Sequence, residues 1–373
     1  MRKVSWLAVC SLLVACSGEA SSDEPQVASE RDSGASSGDD TGRAGDDTGS
    51  IGDDTGGSAD DSGSSGDDTG ATGDGSTTTA DDGPGTSDDA AAGNVVRFVA
   101  IGDTGKGNDG QKQVADAIAA KCAKDGCDFV QLLGDNIYDS GVSSTSDPQW
   151  TTKFETPYGG ISLPFFAVLG NHDYGGNGAG TEFGKGQHQV DYTKVSTKWK
   201  MPAKHYTRAV KHVDFFGLDT NMMMFSMAGE QKTVVTGWIG GAKGAWKIAF
   251  GHHPYYSNGP HGNAGDYEGL SWVPVTSGKG VKDFFDSTIC GKVDVYISGH
   301  DHSRQWIKPQ CGGKTELIVS GGGAAVTELK GSNPNYWQES SLGFLYVVID
   351  GNKFTGEMID ATGKVQFTRS FTR

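Results

Sequence analysis

Beyond residue 94, five short apolar, β-branched runs each stop at a glycine-bearing loop that carries an aspartate, an asparagine or a histidine. The runs at 95–101, 128–133, 164–169, 246–250 and 293–297, with a sixth at 316–319, read as strands buried on both faces, since they lack the alternation of a half-exposed strand. Their loops are Gly102-Asp103-Thr104-Gly105, Gly134-Asp135-Asn136-Ile137-Tyr138, Gly170-Asn171-His172-Asp173, Gly251-His252-His253-Pro254 and Gly299-His300-Asp301-His302. Glycine allows a tight turn off each strand, and polar groups at the carboxyl ends of strands converge on the crevice where open α/β sheets bind ligands. One Gly-Asp or Gly-His pair marks no more than a turn. Five in order point to a single polar pocket.

Between the first two runs, residues 111–123 have helical spacing, with Val114, Ala117, Ile118 and Cys122 on one face. The alternating runs 344–350 and 353–360 read as antiparallel strands that close the domain. The expected fold class is therefore α/β, in one domain spanning residues 95–373.

The first 94 residues cannot contribute to that core. Arg2 and Lys3 precede an apolar run from Val4 to Ala15 that is short for a membrane span, which needs about 20 residues, and reads as a signal peptide. Leu13-Val14-Ala15-Cys16 resembles the lipobox of bacterial lipoproteins, so residues 1–16 are expected to be a lipoprotein signal peptide with Cys16 acylated. The protein would then be exported and anchored to a bacterial membrane, with Ser17 favouring the outer membrane or cell surface, and would meet the membrane only through its lipid. Residues 17–94 carry 20 acidic side chains against Arg31 and Arg43, and Gly-Asp-Asp-Thr-Gly recurs at Gly38, Gly45, Gly52 and Gly66. Low hydrophobicity with excess charge describes a disordered acidic tether, which as a Gly-rich coil would span roughly 50 Å. Residues 95–373 hold 27 basic and 27 acidic side chains, so the net charge of −16 comes from the first 94 residues. A balanced domain without a basic, aromatic-interleaved cluster gives no support to nucleic-acid binding.

Removing Cys10 and Cys16 leaves Cys122, Cys127, Cys290 and Cys311, an even number in an exported chain. Three pairings are open. Cys122 with Cys127 and Cys290 with Cys311 is the favoured one, because sequence-near partners need no approach across the domain. A zinc site is the competing reading, but the Cys-x-x-Cys spacing is absent.

With its five loops in this order, the chain resembles the calcineurin-like metallophosphoesterases, and within them the small purple acid phosphatases, including the tartrate-resistant animal enzymes. The superfamily pattern is Asp-x-His, Gly-Asp, Gly-Asn-His-Asp, Gly-His and Gly-His-x-His, and here Gly105 stands where many members have a metal-binding histidine. Purple acid phosphatases replace that histidine by the tyrosine of Gly-Asp-x-x-Tyr, and Tyr138 occupies that place. The resemblance implies a four-layer α/β/β/α sandwich and a dinuclear centre in which Asp103, Asp135, Tyr138 and His302 hold Fe(III). Asp135, Asn171, His252 and His300 would hold Fe(II), Zn(II) or Mn(II). Carboxylate and phenolate oxygens suit a hard trivalent ion and imidazole a divalent one.

The same resemblance implies hydrolysis of phosphate monoesters by a metal-bound hydroxide, with His172 and His261 contacting the substrate or protonating its leaving group. Related enzymes often carry an acidic residue just before the second histidine, where this chain has Pro260. Asp173, Asp301 and His253 are expected to support neighbouring residues rather than bind metal. Met222-Met223-Met224-Phe225 fits a lid or core packing, and His188, His205 and His212 fall outside the loops. The protein is expected to act as a monomer on a small phosphate ester. A phosphodiesterase or nucleotidase of the same superfamily is the alternative, and a non-catalytic surface binding module is disfavoured because every expected ligand position is filled.

Overall fold

The computed structural model describes residues 94–373. The expected leader at 1–16, the expected acylation site Cys16 and all of the expected tether but Asn94 lie outside the described residues.

Strand β1, Val95–Ile101, shows why a run that is apolar but for Arg97 becomes a central strand. Val96, Phe98 and Ala100 point to one side of it and Val99 and Ile101 to the other, and each side meets a different hydrophobic cluster. Parallel neighbours follow on one flank: β2 at Phe129–Leu133, β3 at Phe165–Val168 and β4 at Trp199–Lys200. The chain then builds β5 at Tyr206–Val210, β6 at Val213–Gly217, β7 at Trp246–Phe250 and β8 at Val295–Ser298. It continues through β9 at Arg304–Cys311, β10 at Thr315–Ser320 and β11 at Asn335–Glu339, and ends with β12 at Gly343–Asp350, β13 at Lys353–Asp360 and β14 at Val365–Thr372.

These strands form two seven-stranded sheets, in the orders β14-β13-β12-β1-β2-β3-β4 and β11-β9-β10-β8-β7-β6-β5. The sheets face each other across a core in which Phe98 stacks on Phe129 with ring centres 5.0 Å apart, Phe215 stacks on Phe250 at 5.6 Å, and Phe98 meets Phe215 edge-on at 5.7 Å. Such offset and edge contacts add to the burial of large rings. Helices cover both outer faces. On the first sheet lie α1, Asp109–Asp125, and α2, Gly186–Tyr192. The second is covered by α3, Thr220–Met224, α4, Gly229–Gly241, and α5, Lys279–Thr288. The expected α/β/β/α sandwich is what forms.

Helix α1 starts where Asn108 accepts a hydrogen bond from the Gln111 amide at 3.0 Å, the role of an N-cap residue, and Val114 and Ile118 pack beneath Val99 and Val130. The helix runs two residues beyond the expected segment 111–123 at each end. Both favoured disulfides are present, Cys122–Cys127 between the last turns of α1 and the residues just after it and Cys290–Cys311 between the end of α5 and the end of β9. Closing the longer loop is worth about 3 kcal/mol in the chain-entropy account.

Strands β1, β2, β3, β7, β8 and β10 match the expected runs to within two residues at each end, and β12 and β13 match within one. The five ligand-bearing strands are not consecutive, however, because β4, β5 and β6 intervene between the third and the fourth. Strand β5 runs along the sheet edge with alternate residues exposed, so its sequence, Tyr-Thr-Arg-Ala-Val, contains no apolar run to find. Met223 is buried in the core of the helical layer, which settles the methionine run as core packing at that position.

Candidate metal centre

All five loops leave the carboxyl ends of parallel strands at one end of the sandwich. The first sheet delivers oxygen donors: Asp103 after β1, Asp135 and Tyr138 after β2, and Asn171 after β3. The second delivers nitrogens: His252 after β7, and His300 and His302 after β8. Asp103, Asp135 and His300 adopt positive φ angles of 60°, 50° and 72°, a region that costs residues with side chains energy and clusters at functional sites.

The donor atoms gather in two groups. In one, the Tyr138 hydroxyl donates to Asp103 Oδ1 at 3.1 Å and lies 3.0 Å from His302 Nε2. In the other, His252 Nε2 lies 2.9 Å from Asn171 Oδ1, 3.1 Å from His300 Nδ1 and 3.3 Å from Asp135 Oδ2. One ligand atom each of Asp103, Asp135 and His252 falls within 4.8 Å of the other two, so Asp135 lies where the groups meet. All seven expected ligand residues are therefore brought together.

This constellation is electrostatically unfinished. The His252 Nδ1–H donates to the Leu133 carbonyl at 2.9 Å, which turns Nε2 toward the pocket, while the Asn171 amide donates to the Gly178 carbonyl at 2.8 Å and so turns its oxygen to the same point. Two lone pairs then face each other unless a positive charge lies between them. With only protons on hand, burial resists a charge on His252, yet Asp135 outweighs it and the imidazole is pushed up to about 9. Burial pushes Asp103 up to about 8, whereas His252 and His172 overcome burial and hold Asp135 well below the usual carboxylate range. Burial, then its histidine neighbours, keep His300 neutral, the form that ligates a metal. Burial beside Asp135 and Asp103 holds the Tyr138 phenol protonated. Carboxylates, phenol, amide oxygen and imidazoles in this arrangement fit a pair of cations, which would take the place of the trapped protons.

Residues 96–304 match the model of the calcineurin-like phosphoesterase family. The chain belongs to that family. It is 30% identical over 253 residues to purple acid phosphatase 7 of Arabidopsis thaliana, covering 61% of this chain and 70% of that protein. It is 27% identical over 320 residues to tartrate-resistant acid phosphatase type 5 of Sus scrofa, covering 75% of this chain and 87% of the relative. The structure described as "GAP50 the anchor in the inner membrane complex of Plasmodium" superposes with a TM-score of 0.59 at 23% identity, over 75% of this chain and 89% of that one.

Two glycines account for how this calcineurin-like phosphoesterase packs its loops so closely. A Cβ on Gly170 would stand 2.2 Å from Asp135 Oδ1, so that carboxylate can occupy its place only with glycine opposite. A Cβ on Gly105 would stand 2.0 Å from the Asn136 carbonyl oxygen. No histidine can occupy position 105 while the 136–138 segment runs as it does, and it is this segment that carries Tyr138 into the pocket.

The supporting residues fall into place around the ligand atoms. Asp173 is fully buried and accepts from the amides of Asn136, Ile137 and Gly170 at 2.9, 3.1 and 2.8 Å and from Gln189 at 2.7 Å, which ties the second loop to the third. Burial, with Asp135 nearby, pushes its carboxyl up to about 6. The Thr220 hydroxyl accepts from the amides of His252 and His253 and pairs with His253 Nδ1 at 2.9 Å, so His253 braces its own loop. Asp301 accepts from the His261 amide at 3.1 Å. Thr220 and Gln189 carry no signal in the sequence, because neither lies near a loop motif.

His172 and His261 flank the two groups. The His172 ring centre is 4.4 Å from that of Tyr138, and the His261 ring centre is 4.1 Å from that of His300. The His172 amide donates to Asp135 at 2.9 Å and its Nδ1 lies 2.6 Å from the Asp139 carbonyl oxygen, so the imidazole stands at the pocket's exposed edge.

Proposed function

We propose that this phosphoesterase hydrolyses phosphate esters, monoesters first among them, at a dinuclear centre of Fe(III) with Fe(II), Zn(II) or Mn(II). The observation that carries the reading is the meeting of the two donor groups at Asp135, with a phenol on one side and three imidazoles shared between the two. Asp103, Asp135, Tyr138 and His302 would hold the trivalent ion, and Asp135, Asn171, His252 and His300 the divalent one. Such a pair, when bound, neutralises phosphoryl oxygens and acidifies a water enough for it to attack phosphorus.

The chain's own residues do the rest. Asp135 sets the spacing of the two halves. His172 and His261 stand on opposite flanks of the ligand rings, where an imidazole can bind a phosphoryl oxygen or hand a proton to the leaving alkoxide. No nucleophilic side chain is required.

Metal analysis of the purified protein together with turnover of a panel of phosphate monoesters, diesters and nucleotides tests the reading. Two metal ions per chain including iron, with monoesters turned over fastest, is the expected result. Preference for diesters would replace the assignment by that of a phosphodiesterase of the same family. The leader and Cys16 further support an exported, lipid-anchored protein, for which Cys16→Ala should release the chain from membranes; retention there would remove the anchor.

A further inference from the structure

One carboxylate beside the candidate centre has no part in the account so far. Glu268 pairs through Oε1 with Nδ1 of His261, and its backbone amide donates to the His261 carbonyl at 3.0 Å. With the His261 amide held by Asp301 at 3.1 Å, the residue is gripped at its amide, its carbonyl and its ring. The preceding residue, Pro260, offers no carboxylate. Glu268 itself adopts a left-handed backbone, φ 57° and ψ 14°, a conformation costly for a glutamate that brings its amide and carboxylate to bear on one histidine. The segment is fastened to the core: the Tyr267 amide donates to Ser277 at 3.1 Å and the Tyr267 hydroxyl donates to the Pro254 carbonyl.

An imidazole whose Nδ1–H is donated to a carboxylate has its tautomer and ring plane fixed, and Nε2 becomes its one remaining polar atom. The His261 ring lies with its centre 4.1 Å from that of His300, which sets the imidazole beside a candidate ligand and leaves Nε2 as the atom it can offer to a substrate there. We propose that Glu268 is a positioning residue for catalysis, locking His261 in the orientation and tautomer from which Nε2 serves the phosphate ester and its leaving oxygen. This rests on the phosphoesterase reading above. Glu268 touches no reacting atom and acts through His261 alone.

The proposal predicts a pattern that general loosening of the fold would not produce. Glu268→Ala should lower kcat on the order of 10- to 100-fold for alkyl phosphates, whose leaving groups need a proton, and less for p-nitrophenyl phosphate, with KM and metal content little changed. Glu268→Gln keeps an oxygen to accept from Nδ1 and should recover most of the loss. In the His261→Ala background, Glu268→Ala should have no further effect, because residues acting as one unit are non-additive. Losses that multiply in the double variant, fall equally on both esters or leave alkyl phosphate turnover untouched would overturn the assignment. Ring nitrogen NMR of His261 in the zinc-loaded protein decides it independently of turnover. The Nδ1-protonated tautomer should dominate in the parent and lose its dominance in Glu268→Ala, and an unchanged ring signal defeats the proposal. Should the parent turn over no phosphate ester, the proposed function fails, while the NMR result still reports on Glu268.

Discussion

Gly105 and Asn136 touch so closely that the Cβ which residue 105 lacks would lie 2.0 Å from the Asn136 carbonyl oxygen. The absent side chain in the first loop and the phenol in the second are thus one structural choice. A residue at 105 with a side chain and a Tyr138 that reaches Asp103 at 3.1 Å exclude each other.

Gly105→Ala should therefore displace the 136–138 segment and cost on the order of 1 to 3 kcal/mol, as overpacking of a buried position does. Urea unfolding measures the cost, and a loss of metal should accompany it. Parent stability together with full metal content in the variant would show that the loops separate freely.

Tyr138→Phe removes the phenol and keeps the ring beside His172, where the centres are 4.4 Å apart. If the phenolate binds Fe(III), the purified protein is coloured, and this variant should lose the visible band while some hydrolysis persists. A spectrum unchanged from that of the parent would take Tyr138 out of the ligand set.

His172→Ala should lower turnover far more than metal content. Its side chain lies at the exposed edge, whereas its contribution to Asp135 comes through the backbone amide at 2.9 Å, which alanine retains. A loss on the order of 100-fold or more is expected for a proton-transferring or phosphate-binding imidazole. Parallel loss of metal and activity would make the ring a structural prop.

Asp219 gives a pH prediction away from the ligand atoms. It is buried, accepts from the Tyr174 hydroxyl at 2.5 Å, and burial pushes its carboxyl from 3.8 up to about 6. A folded value above the unfolded one means that its contribution is fully present below about pH 4 and is lost as pH rises through about 6. The span is on the order of 2 to 3 kcal/mol. Asp219→Asn cannot ionise, so the fall in unfolding free energy between pH 4 and 6 should be shallower in this variant. Urea titrations at several pH values check the slope, and identical slopes would show that the carboxylate ionises at no cost.

The sequence was most readable where burial is two-sided. Strands such as Val95–Ile101 and Trp246–Phe250 are apolar on both faces but for Arg97 and Lys247, and their loops are polar and end them, so strand and donor announce each other. Strands at or next to the sheet edges were harder. β14 alternates polar and apolar residues along Val365–Thr372, and β9 begins with Arg304 and Gln305, both buried and hydrogen-bonded to partners distant in sequence. The loop motifs displayed the donors, whereas the residues that hold them in place were hidden. Gln189 sits on a helix 16 residues beyond the Asp173 it supports, and Glu268 follows His261 by seven residues with no periodic pattern between them. Such pairings are set by tertiary packing, which leaves no local signature.

The division of donors between the two sheets bears on how the protein matures. The oxygens end at Asn171 and the ligand nitrogens begin only at His252, so a growing chain presents its acidic donors long before any of the candidate ligand imidazoles exists. Since synthesis proceeds from the amino end, the donor set is incomplete until His302 has emerged, and any cation pair that needs all seven residues would be bound only after that point.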